Sequence, residues 1–581
     1  MVRTPFSSLL RPLLLAILLG QPAGAAPARA QTPAQRPAPT SAQTPQIPPA
    51  PASAQDEDPN RNPDSAADIR QPGGRLVLVL PFDNRSGQAN LNWIGDSFPY
   101  TLDERLNSVG FLTIGRDDRL YALEHLGLPD DFRPSRATTI RIAQTLDADY
   151  VIVGSFTIVN SGSSASRIEV QAQVLEVNQL RMSEPLKDSA DLPRLFDVEN
   201  AIAWKVAQRM DPHFAVAEQT FLAAAGGVRL SSFEDYIRGT SAPTSDERLK
   251  RLQAAVAETP DYTAALLALG KEQYAALQYA AAAATLAKVP PNDRVALEAS
   301  YYGGLARFNI AKYAEAEAAF AFVASRLPLP EVVTDQGVAA SRQGKDAVPL
   351  FTQVIAADPN DPDYHFNLAV ALLGRNDIAG ATREVQEALK LHSDDPEAKE
   401  LLARLQATHG STANLKAIIG AEGFDPTTRI RRTWSEASFR QVAFQLDQMR
   451  AVQMAALPAA QQAVEYSQLG RQYLAQGLIA EAEQQFHSAL TANPKNASAH
   501  AGIAQVRERS GSAGDARAEA DTSLKLAPNV DAYLVLARLN LQANHLPDSA
   551  ADVAAALKLE PANAAALGIK SALQSRGQSL P

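Results

Sequence analysis

Histidines are the first side chains to test for catalysis or metal binding, and the sequence has eight: His125, His213, His365, His392, His409, His487, His500 and His545. The closest two, His487 and His500, lie thirteen residues apart, so no single helix turn presents a histidine pair to a metal. There is no cysteine. That excludes disulfides, thiolate zinc sites, iron–sulfur clusters and thiol nucleophiles. No metalloprotease helix motif, phosphate-binding loop, serine elbow or dinucleotide fingerprint is present. Gly344-Lys345 lacks the earlier glycine of a phosphate loop, and Gly511-Ser512-Ala513-Gly514 is too short for a nucleophile elbow. The expectation is a non-enzyme with no catalytic residues, no metal and no cofactor.

Three charged clusters remain. Asp83, Asn84 and Arg85 follow an apolar run, where ligand sites often lie. Aspartate and asparagine are also ordinary turn formers, and a structural turn is the preferred reading. Arg429, Arg431 and Arg432 read as a solvated loop in preference to an anion site. Asp361, Asp363, Asp394 and Asp395 fall in turns, where they would cap helices. The formal net charge of −10 argues against a nucleic-acid partner.

The elements around these residues begin with a leader. Arg3 and Arg11 accompany an apolar stretch from Leu13 to Leu19, followed by Ala23-Gly24-Ala25 and Ala28-Arg29-Ala30. This is the pattern of a Sec-type signal peptide over 1–30, cleaved after Ala25 or Ala30. No cysteine follows it, so a lipoprotein is not expected, and the protein should be periplasmic or secreted. Residues 31–73 are rich in proline and alanine. Between Gln31 and Pro72 the only large aliphatic residues are Ile47 and Ile69, too few to offset chain entropy, so a disordered linker is expected.

Residues 74–215 read as a small α/β domain. Leu76–Leu80 and Asp149–Phe156 are strands buried on both faces. Ile168, Val170, Ala172 and Val174 alternate with polar residues, as in a half-exposed antiparallel strand. The segment Ser161–Ser164 reads as the hairpin loop before it. Helices are expected at Trp93–Val109, Arg116–Leu126, Thr138–Leu146 and Val198–Met210, and a short strand at Phe111–Ile114. Leu78-Val79-Leu80-Pro81-Phe82-Asp83-Asn84, Trp93-Ile94-Gly95 and Ala148–Ser155 resemble the N-terminal domain of the translocation protein TolB and the FlgO/CsgG-like group. The resemblance implies a mixed sheet with packed helices and an envelope-associated, non-catalytic module.

From residue 231 to 576 a period of 34 dominates. Pro494 and Pro528 stand one period apart, as do Pro359 and Ser393. Unit 463–496 carries Leu469-Gly470, Tyr473, Ala482, Phe486, Ala489 and Pro494, and so resembles the tetratricopeptide repeat (TPR). Small Gly470 and Ala482 would let two helices approach closely. About eight units are read: a first block at 231–395, a divergent helical connector at 396–462 and a second block with a capping helix at 463–576. In the connector Phe439, Val442, Ala443, Leu446 and Met449 form an apolar stripe, and a helix pair continuing the solenoid is preferred to a hinge. Pro349 is expected inside a second helix, where it would kink it.

The fold class expected is therefore a small N-terminal α/β domain followed by an all-α TPR superhelix. Such an array offers a groove lined by first helices. Asp363, Phe366 and Val370 would face it, as would Ser467, Arg471, Leu474, Ala501, Gln505 and Glu508. The preferred function is an exported, non-catalytic scaffold binding a peptide or protein, with the α/β domain docking peripherally on an envelope component. The alternative is a sensor or regulatory module that binds a small molecule near Asp83–Gly87, and a hydrolase is the last option.

Overall fold

The computed structural model describes residues 76–128, 135–159, 166–223, 228–410, 423–431, 449, 452–475 and 477–581. The signal peptide, the linker, Ser161–Ser164, Arg432 and the residues Phe439, Val442, Ala443 and Leu446 lie outside them.

The α/β domain contains β1 (Leu76–Val79), β2 (Asp83–Asn84), α1 (Asn92–Ser108), β3 (Leu112–Thr113), α2 (Arg116–His125), α3 (Arg136–Thr145), β4 (Tyr150–Val159), β5 (Arg167–Glu176), β6 (Arg181–Met182), β7 (Leu186–Asp191) and α4 (Leu195–Met210). The sheet order is β3-β1-β4-β5-β6, with β2 added to β4 and β7 to β5. β1 runs parallel to β3 and β4, whereas β4 and β5 form a long antiparallel pair from Tyr150↔Glu176 to Val159↔Arg167. Val77, Val79 and Ile152 face α1 and α4, while Leu78, Leu80 and Val151 face α2 and α3. Helices on both faces explain the unbroken apolar runs of β1 and β4. β7 reads Leu-Lys-Asp-Ser-Ala-Asp and was not legible as a strand, because it is only half-buried against one side of β5.

The Leu-Pro-Phe-Asp-Asn stretch is fixed by close packing. Phe82 stacks on Phe98 with ring centroids 4.1 Å apart. A side chain at Gly154 would lie 2.3 Å from the Phe82 ring, and one at Gly95 would lie 2.3 Å from its carbonyl oxygen.

After α5 (Glu218–Ala223) the chain is helical pairs. Block 1 comprises α6 (Leu230–Ser241), α7 (Ser245–Glu258), α8 (Thr263–Ala275), α9 (Tyr279–Leu286), α10 (Ala296–Asn309), α11 (Tyr313–Ala324), α12 (Pro330–Ser341), α13 (Val348–Ala357), α14 (Pro362–Gly374), α15 (Ile378–Leu391) and α16 (Pro396–Ala407). Block 2 comprises α17 (Ala459–Ala475), α18 (Ile479–Ala492), α19 (Ala497–Arg509), α20 (Ala513–Leu526), α21 (Val530–Gln542), α22 (Leu546–Leu559) and α23 (Ala564–Ser575). Within units, glycine on the first helix receives a large side chain from the second: Gly304 receives Phe320, Gly337 receives Phe351, and Gly470 receives Phe486. No helix among the described residues is long and apolar enough to cross a membrane.

One local expectation is corrected. Pro349 occupies the first turn of α13, where its missing N–H has no partner to lose, so it starts the helix and does not kink it. Of the connector, α16 extends the stack and residues 424–431 adopt neither helix nor strand, while most of the stripe expected to carry its helix pair lies outside the described residues.

The domain and the array share one core. Phe233, Tyr236 and Tyr262 pack with Trp93 and Tyr100 of α1. Block 2 also meets this region. Arg294 donates to the Glu104 carbonyl of α1 (2.7 Å) and to Glu481 of α18 (2.9 Å).

Candidate partner groove

Helix capping sets the acidic side chains of block 1 in place. Asp361 accepts from the Asp363 amide at the start of α14, and Asp395 accepts from the Ala398 amide at the start of α16. Capping fixes both carboxylates at the same end of successive first helices, beside Asp363 and Glu397. Further into the array, Asp335 of α12, Tyr301 of α10 and Asn367 of α14 are all buried.

The segment Phe424–Arg431 lies across these first helices. Asn367 holds its backbone at two points: the side-chain amide donates to the Arg429 carbonyl (2.9 Å), and its oxygen accepts from the Arg429 amide (2.6 Å). Asp335 accepts from the Arg431 amide (2.7 Å), and the Tyr301 hydroxyl donates to the Arg431 carbonyl (3.4 Å). These contacts read backbone, as a site for extended chain must.

Side chains add charge. The Arg429 guanidinium donates to Asp363 (2.7 Å), to both oxygens of Asp395 (2.6 and 3.1 Å) and to Glu397 (3.0 Å). It also lies 3.7 Å from the centroid of the Phe366 ring. Arg431 pairs with Asp361 and Asp363, over the Tyr364 ring. Between them Ile430 packs among the apolar residues of α10–α14, and Phe424 packs against the α14–α16 core beside Arg404.

The electrostatics follow from burial and pairing. Burial alone would raise the Asp395 carboxyl, but the Arg429 guanidinium and the Ala398 amide outweigh it and hold it below the usual value. Burial pushes Asp335 well above the usual carboxylate range, against the opposing pull of the Arg431 amide, Tyr301 and the Arg431 charge. Burial also raises Asp361, despite its pairing with Arg431. Arg429 is held above its ordinary value because its bonds to Asp395, Asp363 and Glu397 outweigh burial.

The other sequence-derived positions scatter. Asp363 and Phe366 touch the segment directly, and Val370 packs half-buried in the α14–α16 core. Ser467 and Leu474 are buried within block 2, where Ser467 bonds the Ala463 carbonyl. Ala501 is likewise buried, and Arg471 is exposed. Gln505 and Glu508 line a cavity of about 510 Å³, with Glu508 paired to Arg538 (2.5 Å). Asp83 and Asn84 form β2. Asn84 organises the following turn through Ser86, Gln88 and Asn92, and Arg85 pairs with Asp83 at 3.3 Å. The arginine run is corrected: Arg429 and Arg431 are neither a solvated loop nor an anion site, because carboxylates and rings enclose them. Asn367, Asp335 and Tyr301 were missed. Their only local signal is that Tyr301 and Asp335 stand one 34-residue period apart.

Tetratricopeptide repeat models match residues 339–405 and 467–531. The helical pairs within these two stretches are tetratricopeptide repeats. Among solved structures, MamA 41-end from Desulfovibrio magneticus RS-1 is 18% identical, with 31% of this chain and 99% of that chain covered and a TM-score of 0.26. YrrB, described as a TPR protein with an unusual peptide-binding site, is 15% identical, with coverages of 36% and 98% and a TM-score of 0.25. The LpoB C-terminal domain from Salmonella enterica is 24% identical, with coverages of 22% and 88% and a TM-score of 0.18. No curated protein matches the chain. Tetratricopeptide arrays are protein–protein interaction scaffolds, and the repeats here support that coarse role.

Proposed function

We propose that this protein is an exported, non-catalytic scaffold whose repeat groove holds a protein or peptide partner. The observation that carries the reading is the extended chain already seated across the first helices of block 1, bound through backbone and side chain together. Export is supported by the basic and apolar leader with its two small-residue cleavage positions. Peripheral docking of the α/β domain on an envelope component is supported by its TolB-like segments alone.

In-cell photocrosslinking tests the reading. A photoreactive residue replaces Glu397 at the edge of the groove or Lys390 on the exposed side of α15. A discrete crosslinked protein from the groove position, absent from the α15 position and present in the periplasmic fraction, is the expected result. Equal crosslinking from both positions removes the groove, and a cytoplasmic chain that keeps Met1 removes export.

A small-molecule sensor is the second reading. It is favoured by a cavity of about 1440 Å³ where α1, α6, α8 and α18 meet, lined by Tyr100, Tyr236, Lys271, Arg294 and Glu481. The Asp83–Arg85 turn does not line it. Thermal-shift screening of the full chain decides: a metabolite must raise the melting temperature, and Lys271→Ala must abolish that rise.

A further inference from the structure

The groove of block 1 is already filled, and its filler defines what fits. Asn367 and Asp335 are wholly buried, yet their polar atoms bond residues 62 and 96 positions away in sequence. Neither side chain is satisfied by its own repeat at these atoms. Five carboxylates converge on the segment: Asp335, Asp361, Asp363, Asp395 and Glu397. With the segment gone, like charges would face one another over buried rings, an arrangement that disfavours an empty groove.

The chemistry of the occupant is specific. In an extended chain, alternate side chains point to opposite sides. Arg429 and Arg431 therefore reach the acidic edge together and share Asp363, while Ile430 turns to the apolar floor. Arg429 makes forked contacts with Asp395 and Glu397 while its guanidinium carbon lies 3.7 Å from the centroid of the Phe366 ring. A lysine has a single ammonium and cannot reproduce the fork. Two guanidiniums also leave the four carboxylates beside them, Asp361, Asp363, Asp395 and Glu397, in excess, so the face stays attractive to a basic segment even when occupied.

We infer that the block 1 groove is a receptor for extended partner segments of the pattern Arg-aliphatic-Arg, and that Phe424–Arg431 occupies it in cis as a tethered competitor. The inference rests on the scaffold reading and adds the ligand's chemistry and its control. A partner segment binds only by displacing the tether, so its apparent affinity falls with the fraction of chains whose groove is open.

The test uses the full chain and a fluorescent peptide of the sequence Gly423–Arg431, followed by anisotropy. The chain carrying Arg429→Ala with Arg431→Ala frees the groove. It should bind the peptide at least about tenfold more tightly than the wild type. Adding Asn367→Ala to that chain should reverse the gain, and a peptide with lysine at both arginine positions should bind about tenfold more weakly. If the doubly substituted chain loses its helical circular dichroism, the pair Arg429→Lys and Arg431→Lys serves instead, with the same expected direction. A folded, freed chain that binds no better than the wild type overturns the inference. So does binding indifferent to Asn367→Ala. Concentration-dependent dimerisation of the wild type through this segment would assign the groove to a second copy and overturn the partner assignment. The broader scaffold reading is judged separately by the crosslinking at Glu397, which can succeed when this peptide fails.

Discussion

In block 1 the docked segment brings the positive charges and the repeats bring the negative ones; in block 2 both charges belong to the repeats. The block 2 counterpart is Glu483 of α18, which is wholly buried where the chain around α5 docks. It accepts from the Ala217 amide (3.1 Å) and from Thr220, but its countercharge is Arg507 of α19 at 2.6 Å. Burial would raise the Glu483 carboxyl, and His487 with Arg507 hold it below the ordinary value instead. The same two-helix repeat thus builds a self-neutralised seat in one block and a seat that requires an incoming cation in the other. Only the second kind gives a partner an electrostatic reason to replace what is there.

Substituting one arginine in each block breaks the comparison most forcefully. Arg507→Ala leaves Glu483 charged, buried and without its main countercharge, at a cost of about 3–5 kcal/mol. Arg429→Ala costs less, about 1.5–3 kcal/mol, because Asp363 and Glu397 are partly open to water. Denaturant unfolding combined with hydrogen exchange in α14–α16 and α18–α19 reads the two losses separately. Equal losses would mean that block 1 is as self-contained as block 2.

What the sequence shows and hides follows the same division. Gly470, Phe486 and Pro494 repeat locally at a period set by one helix pair, so the array was readable from spacing. The long alternation of β5 was readable for a similar reason. The tether was not: the partners of Arg429 and Arg431 lie 32 to 130 residues away, and nothing near Arg429 announces them. An arginine pair beside Asp425-Pro426 has the composition of any exposed loop until the fold brings carboxylates to it. Asp361 and Asp395 were legible as caps, which they are, but not as ligands of the tether, because capping already accounts for an aspartate at those positions.

The packing inside units offers a control in which the blocks should agree. A side chain at Gly337 would stand 2.8 Å from Phe351, and one at Gly470 would stand 2.6 Å from Phe486. Gly337→Ala and Gly470→Ala should each cost about 1–3 kcal/mol by forcing the helices of one unit apart. Melting of the two variants under one condition checks this. A loss confined to one block would show that the units differ in packing and not only in charge.

The smallest expected effect lies in a constellation that both blocks share. His365 bonds Glu384, 19 residues on, at 2.8 Å and the Pro359 carbonyl, six residues back, at 3.0 Å. His500 repeats the pattern with Glu519 at 2.7 Å and the Pro494 carbonyl at 3.2 Å, at the same separations. The proline that ends one unit is thereby tied to the first helix of the next. The hydrogen bond to Glu384 raises the His365 pKa above its ordinary value, and this outweighs the opposing effect of burial. A raised folded-state value means that the protonated pair stabilises the fold fully below the ordinary histidine pKa of about 6.5. That stability is lost as pH rises through the folded-state value. With Glu384 near the surface the contribution is under about 1 kcal/mol. Melting temperatures at pH 5.5 and 8.5 should therefore differ less in His365→Gln than in the wild type. An unchanged difference would show that the neutral imidazole ties the two units together as well as the charged one does.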